Sequence, residues 1–122
     1  MSEQAESLKR RTGVFAVRVV QFVDAMPPRM TSDVLGRQVV RSATSIAANY
    51  RAALRARSRA EFVAKMHIVQ EEADETLYWL ELIHQTASPP AREVDWLRKE
   101  ATELTAIFTA TYATARRNLR RR

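Results

Sequence analysis

The sequence predicts an all-α protein folded as an antiparallel, up-down-up-down four-helix bundle. Only two glycines and four prolines interrupt 122 residues, so residues that break helices are rare. Apolar residues recur at alternating spacings of three and four in four separate segments, which places them on one face of each helix. No segment alternates between apolar and polar residues for long enough to form a strand.

The first predicted helix spans about residues 8–26 and the second about residues 32–55. A Pro-Pro pair ends the first helix, because the residue before a proline is pushed out of the α region. Gly13 weakens the first half of this helix, and residues 1 to about 7 are predicted to be a loose tail. Thr31 or Ser32 offers a hydroxyl N-cap for the second helix.

The third predicted helix spans residues 59–86 and the fourth about residues 91–118. Ser58 and Glu61 form a capping-box pattern at the start of the third helix. A second Pro-Pro pair separates it from the fourth. The links between helices are short, so successive helices should be antiparallel neighbours within a single domain, residues 1–122.

The segment Gln38–Leu54 contains no Gly, Pro or acidic residue, and it carries two distinct helical faces. Its core-facing stripe includes two polar residues, Ser42 and Asn49. An acyl-transfer site would require a base and an orienting acid nearby, and the local sequence offers only arginine. We therefore expect both side chains to hydrogen-bond across the bundle and set helix register.

The net charge of +6 is unevenly distributed, because basic and acidic residues occur in separate blocks. The candidate nucleic-acid-binding residues are nine arginines from the basic blocks: Arg37, Arg41, Arg51, Arg55, Arg57, Arg59, Arg116, Arg117 and Arg120. Such blocks favour a polyanionic partner, RNA or DNA. The other interpretation is that they are solvated faces or pair with acidic residues of a neighbouring helix or subunit. No aromatic residue interleaves the basic stripe of the second helix, so base reading is not indicated.

The third helix has more apolar surface than one helix-packing face requires. A second apolar set, Leu77, Trp79 and Leu82, lies beside its regular stripe. The candidate oligomer interface consists of Tyr78, Trp79 and Leu82. Adjacent aromatic residues could also stack on bases. We expect instead that at least one of Tyr78 and Trp79 belongs to the core and that the other packs on a partner subunit, since aromatic residues are enriched in interface cores.

Sequence motifs for metal binding and catalysis are incomplete or missing. A carboxylate di-iron bundle needs two Glu-x-x-His motifs and further glutamates, and only Glu81 and His84 form one. Glycine occurs only at positions 13 and 36, which excludes a P-loop or a dinucleotide fingerprint. We therefore expect no metal site, no cofactor and no enzymatic activity.

Targeting signals are also missing from the sequence. The N-terminal residues lack the apolar segment of a signal peptide, and no apolar run approaches the roughly 20 residues of a membrane span. The chain contains no Cys, which suits a reducing compartment. A cytoplasmic protein without membrane association is the expectation.

Three motifs together resemble a known family: RSATSIAANYRAA at 41–53, SRAEF at 58–62 and EADETLYWLELI at 72–83. The chain is similar, over about residues 15–115, to the small bacterial four-helix-bundle proteins of the 23S ribosomal RNA intervening-sequence family. That family includes the accessory variability proteins of diversity-generating retroelements. One departure is Ala52, where the family usually has an acidic residue.

The resemblance implies a homopentameric ring of bundles. It also implies that members in retroelements bind nucleic acid and a reverse transcriptase, whereas most other members have no assigned activity. The resulting hypothesis is a non-enzymatic, oligomeric nucleic-acid-binding accessory protein. The alternative is a protein–protein adaptor or structural bundle with no nucleic-acid role of its own.

Overall fold

The computed structural model describes residues 2–87 and 89–121. These residues form four α-helices and contain no strand. The helices are α1 (Glu3–Asp24), α2 (Met30–Ala53), α3 (Arg59–Thr86) and α4 (Ala91–Arg120). The all-α prediction is therefore confirmed, and no helix within the described residues is long and apolar enough to cross a membrane.

The four helices form a bundle in which each helix packs beside the next one in the chain. The fourth helix returns against the first, whereas the backbones of the diagonal pairs do not approach within 8 Å of each other, Cα to Cα, among the described residues. Arg11 of α1 bonds to Glu100 of α4 while Arg18 bonds to Glu93, so these two helices run antiparallel. Short links impose the same antiparallel order on the successive pairs.

The core is built from the apolar stripe of every helix, because residues spaced three and four apart share one helix face. Its largest fully buried side chains include Phe15, Ile46, Leu80 and Phe108. Tyr50 packs against Phe108 with ring centroids 5.2 Å apart. Burial raises the pKa of the Tyr50 hydroxyl above its ordinary value.

The first helix begins earlier than the sequence pattern indicates. Ser2 is its N-cap, and the Ser2 hydroxyl accepts a hydrogen bond of 3.0 Å from the backbone N–H of Ala5. Glu3 and Glu6 lie in the first turn, where the helix dipole favours acidic side chains. The prediction of a loose tail up to about residue 7 is therefore wrong, and Gly13 does not interrupt the helix.

The capping predictions for α2 and α3 have different outcomes. At α2, Arg29 occupies the N-cap position without a side-chain cap, so the prediction of Thr31 or Ser32 as the cap is wrong. At α3, the Ser58 hydroxyl accepts a 3.0 Å hydrogen bond from the backbone N–H of Glu61, as the capping box predicts.

Candidate nucleic-acid interface

The fold gathers two distant basic segments at one end of the bundle. Leu54 at the end of α2, Arg57 in the link, Phe62 in α3 and Leu119 in α4 line a common cleft of about 920 Å³. The cationic side chains at this end define the basic pole: Arg51, Arg55, Arg57, Arg59, Lys65, Arg116, Arg117, Arg120 and Arg121. Seven of the nine sequence-predicted arginines belong to it.

A shallow groove of about 490 Å³ crosses the α2 side of the basic pole. Arg51, Arg55, Arg57 and Lys65 line it together with one carboxylate, that of Glu61. Among the described residues, none of these four cations makes an ion pair. The groove therefore has an excess of positive charge, which suits an anionic chain.

The other two predicted arginines lie away from the basic pole. Arg37 is 14 residues before Arg51 on the same exposed face of α2, about 21 Å along the helix axis. Arg41 is exposed but forms ion pairs with Glu72, at 3.2 Å, and with Glu75 of α3. The structure does not bring these two arginines together with the other seven.

The ion pairs of Arg41 belong to a hydrogen-bonded network that joins α2 to α3. The indole N–H of Trp79 donates a 3.0 Å hydrogen bond to the carboxylate of Glu75. This hydrogen bond, together with the Arg41 guanidinium, holds the pKa of the Glu75 carboxyl below its ordinary value. The network includes residues of the EADETLYWLELI motif, so at least part of that motif stabilises contacts between helices within one chain.

The three residues predicted for the oligomer interface differ in their surroundings. Tyr78 is 58% exposed on the outer face of α3, with its ring edge-on to Trp79 at a centroid distance of 5.1 Å. Trp79 and Leu82 are half-buried, and Trp79 packs against the core. Contact with a partner subunit at these residues stays a prediction.

The two polar residues of the α2 stripe also differ. Ser42 is fully buried, and its hydroxyl accepts a 2.8 Å hydrogen bond from Thr76 of α3. Asn49 is half-buried and donates both of its hydrogen bonds to Ser45, one turn earlier in its own helix. The expectation that Asn49 bonds across the bundle is therefore wrong, because it lies at the edge of α2 rather than on its core-facing side. The sequence pattern placed Thr76 on the core-facing stripe of α3. Its hydrogen bond to Ser42 could not be predicted, because it depends on how α2 and α3 pack.

Sequence reasoning missed the arginines that join helices. Arg11 forms a bidentate pair with Glu100, both hydrogen bonds being 2.7 Å, and it also contacts Glu103 at 3.0 Å. Glu100 and, to a lesser extent, Glu103 raise the pKa of the Arg11 guanidinium above its ordinary value. Arg18 repeats the pairing with Glu93 at 3.0 Å. The matching seven-residue spacing of arginines on α1 and glutamates on α4 was the available signal.

These pairings distinguish the arginines that join helices from those of the basic pole. Those that face a neighbouring helix are neutralised by its carboxylates, as when Arg98 pairs with Glu81 at 3.0 Å. Those of the basic pole keep their charge available to a partner. The described residues contain no group of three or more His, Cys, Asp or Glu side chains that could hold a metal ion.

Comparisons with known proteins agree on one relationship. The family model described as 23S rRNA-intervening sequence protein matches residues 7–110. A crystal structure from Bacteroides thetaiotaomicron VPI-5482, described as a protein with unknown function from the S23 ribosomal protein family, is 33% identical to this chain. The match has a TM-score of 0.80 and covers 89% of this chain and 97% of that one. A search of curated proteins found no match.

Proposed function

Because this chain belongs to the family of 23S rRNA-intervening sequence proteins, we propose that it is a non-enzymatic nucleic-acid-binding accessory protein that acts as a cytoplasmic oligomer. The observation that supports this is the basic pole. Its nine cations come from α2, the α2–α3 link, the start of α3 and the end of α4, and they lie at one end of the bundle. Phosphate groups are the ligands that such a surface attracts most strongly.

The groove on the basic pole suits the sugar-phosphate backbone better than base edges. Its lining includes Arg51, Arg55 and Arg57 but no aromatic side chain among the described residues. Stacking on aromatic rings and bidentate contacts to base edges are the usual means of recognising bases. We therefore expect binding that depends on charge and shows little preference for sequence.

A salt titration of RNA and DNA oligonucleotide binding tests the proposal. Replacing Arg55, Arg57 and Arg59 by Ala should make the plot of the log of the binding constant against log salt less steep, reducing the magnitude of its negative slope by roughly 2. Each lost phosphate contact removes about 0.7–0.9 from that magnitude. The matched control replaces Arg29, Arg92 and Lys99, three exposed cations away from the pole that make no ion pair among the described residues. It has the same net charge and should keep the wild-type slope. Equal losses in both variants, or no binding at low salt, would overturn the proposal.

The oligomer that we propose is a ring of five bundles in which Tyr78, Trp79 and Leu82 contact the next subunit. The exposed Tyr78 ring beside the half-buried Trp79 supports this, because exposed aromatic surface is characteristic of interfaces. A mass that is a multiple of five chains in sedimentation experiments, lost on Tyr78→Glu, is the expected result. A pentameric mass that this substitution leaves unchanged would place the interface elsewhere.

The finer proposal is that the protein is the accessory variability determinant of a diversity-generating retroelement and works with a reverse transcriptase. Support comes from the family and from the basic pole, which could hold RNA beside that enzyme. A neighbouring reverse transcriptase gene with a template and a variable repeat is the expected genomic setting. A location inside a ribosomal RNA gene would instead indicate the intervening-sequence branch.

The alternative is a protein–protein adaptor with no nucleic-acid role of its own. The ion-paired state of Arg41 favours the adaptor, since this residue of the family motif serves contacts between helices rather than a free basic surface. A reverse transcriptase captured equally well before and after nuclease treatment, with no oligonucleotide binding at low salt, would support the adaptor.

A further inference from the structure

The outer face of α1 is apolar and uncovered. Val14, Val17 and Val20 are 54%, 56% and 37% exposed, and they are three of the seven large hydrophobic residues exposed in the described chain. Gly13 lies beside them, and a Cβ built on it would meet no atom within 4 Å. Because the helices nearest to α1 are α2 and α4 and the core lies on its other side, its own bundle leaves this face open.

The sequence of this face is complementary to itself when read in the opposite direction. With Val17 at the centre, Val14 corresponds to Val20. At the ends of the face, Arg10 corresponds to Asp24. Both of these charged residues are exposed, and neither makes an ion pair within residues 2–87 and 89–121.

We propose that this face binds the same face of a second copy of the chain, with the two α1 helices antiparallel and a two-fold axis beside Val17. In that arrangement the valines of both copies form one apolar contact. Arg10 of each copy then faces Asp24 of the other, and the resulting two ion pairs lie about 21 Å apart along the helix axis. A parallel arrangement would instead oppose Arg10 to Arg10, so the charges select the antiparallel one.

The second copy is the occupant because the charges of this face match its own reversed sequence. A two-fold contact uses the same surface on both partners, and self-complementarity is what such a contact requires. Gly13 opposes the longer side chain of Gln21 across the axis. A small residue against a large one allows helix axes to approach to the usual 8–10 Å.

This contact is separate from the surfaces of the proposed function. The outer face of α3, with Tyr78, lies on the bundle corner diagonal to α1, and the valines lie several turns from the basic pole. The two-fold contact would therefore join two bundles, or two rings whose neighbouring subunits do not use this face, and leave the Tyr78 face and the basic pole free. Failure of nucleic-acid binding would not bear on it.

Sedimentation equilibrium of the full chain tests the contact. Val17→Asp should halve the mass of the assembly, because it places two carboxylates at the two-fold axis in an apolar contact. Val34→Asp is the matched control, since Val34 is also 56% exposed but lies on α2. The control variant should keep the mass of the wild-type assembly. Halving in both variants, or in neither, would overturn the proposal.

A charge exchange provides a second test that does not depend on burial. Arg10→Asp and Asp24→Arg should each weaken the two-fold association about tenfold, because each turns two attractive contacts into repulsive ones. An equimolar mixture of these two variants should recover wild-type association. In the mixed pair, the aspartate introduced at position 10 faces the arginine introduced at position 24, and the native Asp24 faces the native Arg10. A mixture that stays as weak as either variant alone would refute the antiparallel register, and circular dichroism verifies that both variants are folded.

Discussion

Removing the Arg11 side chain should destabilise the protein more than removing any other single charge at the α1–α4 contact. The Glu100 carboxylate is only 12% exposed and receives two 2.7 Å hydrogen bonds from Arg11. Breaking a buried ion pair typically costs roughly 3–5 kcal/mol, because the other charge is left without a partner. Since the Arg11 side chain is 31% exposed and water can partly replace it, we expect Arg11→Ala to lower the free energy of unfolding by about 2 kcal/mol.

The assay is urea denaturation followed by circular dichroism at one fixed protein concentration, since oligomerisation makes apparent stability depend on concentration. Glu103→Ala is the control. Glu103 contacts the same arginine at 3.0 Å but is 49% exposed, and we expect a loss of only about 0.5 kcal/mol.

The double replacement Arg11→Met with Glu100→Leu separates the cost of an unpaired charge from the loss of packing. It removes both charges while keeping similar volume, so its stability should lie within about 1 kcal/mol of the wild type. The reasoning is refuted if Arg11→Ala costs less than about 0.5 kcal/mol, or if the double variant is less stable than Arg11→Ala.

Three further predictions concern contacts between neighbouring helices. Thr76→Val keeps the shape of the buried side chain but removes its hydrogen bond to α2, and we expect a loss of about 1 kcal/mol in urea denaturation. Gly36→Ala would place a Cβ 2.8 Å from the Val23 side chain and should cost about 1–3 kcal/mol, whereas Gly13→Ala meets no atom of its own chain and should stabilise the single bundle by about 0.5–1 kcal/mol; equal effects at both glycines would contradict this. Because the folded state lowers the pKa of Glu75, its contribution to stability is present above the ordinary value of about 4.5 and is lost as pH falls through the lower folded pKa. Glu75→Gln should therefore reduce the loss of stability measured by acid titration, and an unchanged acid transition would count against it.

The helices and their order could be predicted from the sequence because each depends on local information. Apolar spacing of three and four identified all four helices, and the start of α3 at residue 59 followed from the capping box. The start of α1 was missed because a hydroxyl at residue 2 caps the helix ahead of the first buried apolar residue. Such a cap satisfies backbone N–H groups without any apolar pattern.

The candidate site could be predicted only in part. The sequence identified the arginine-rich segments, since a block of like charge is visible without a fold. It could not separate Arg41, which α3 neutralises with Glu72 and Glu75, from Arg55, which has no ion-pair partner among the described residues.

The sequence by itself determined the helical class, the number of helices and the +6 charge, because periodicity and composition are properties of the chain. Only the tertiary structure decided which charges remain available to a partner. Ion pairing depends on which side chains the packing brings within a few ångströms, and helix packing brings together residues such as Arg11 and Glu100 that are 89 positions apart. The same packing placed the end of α4 beside the α2–α3 link, and so formed the basic pole from two separate segments.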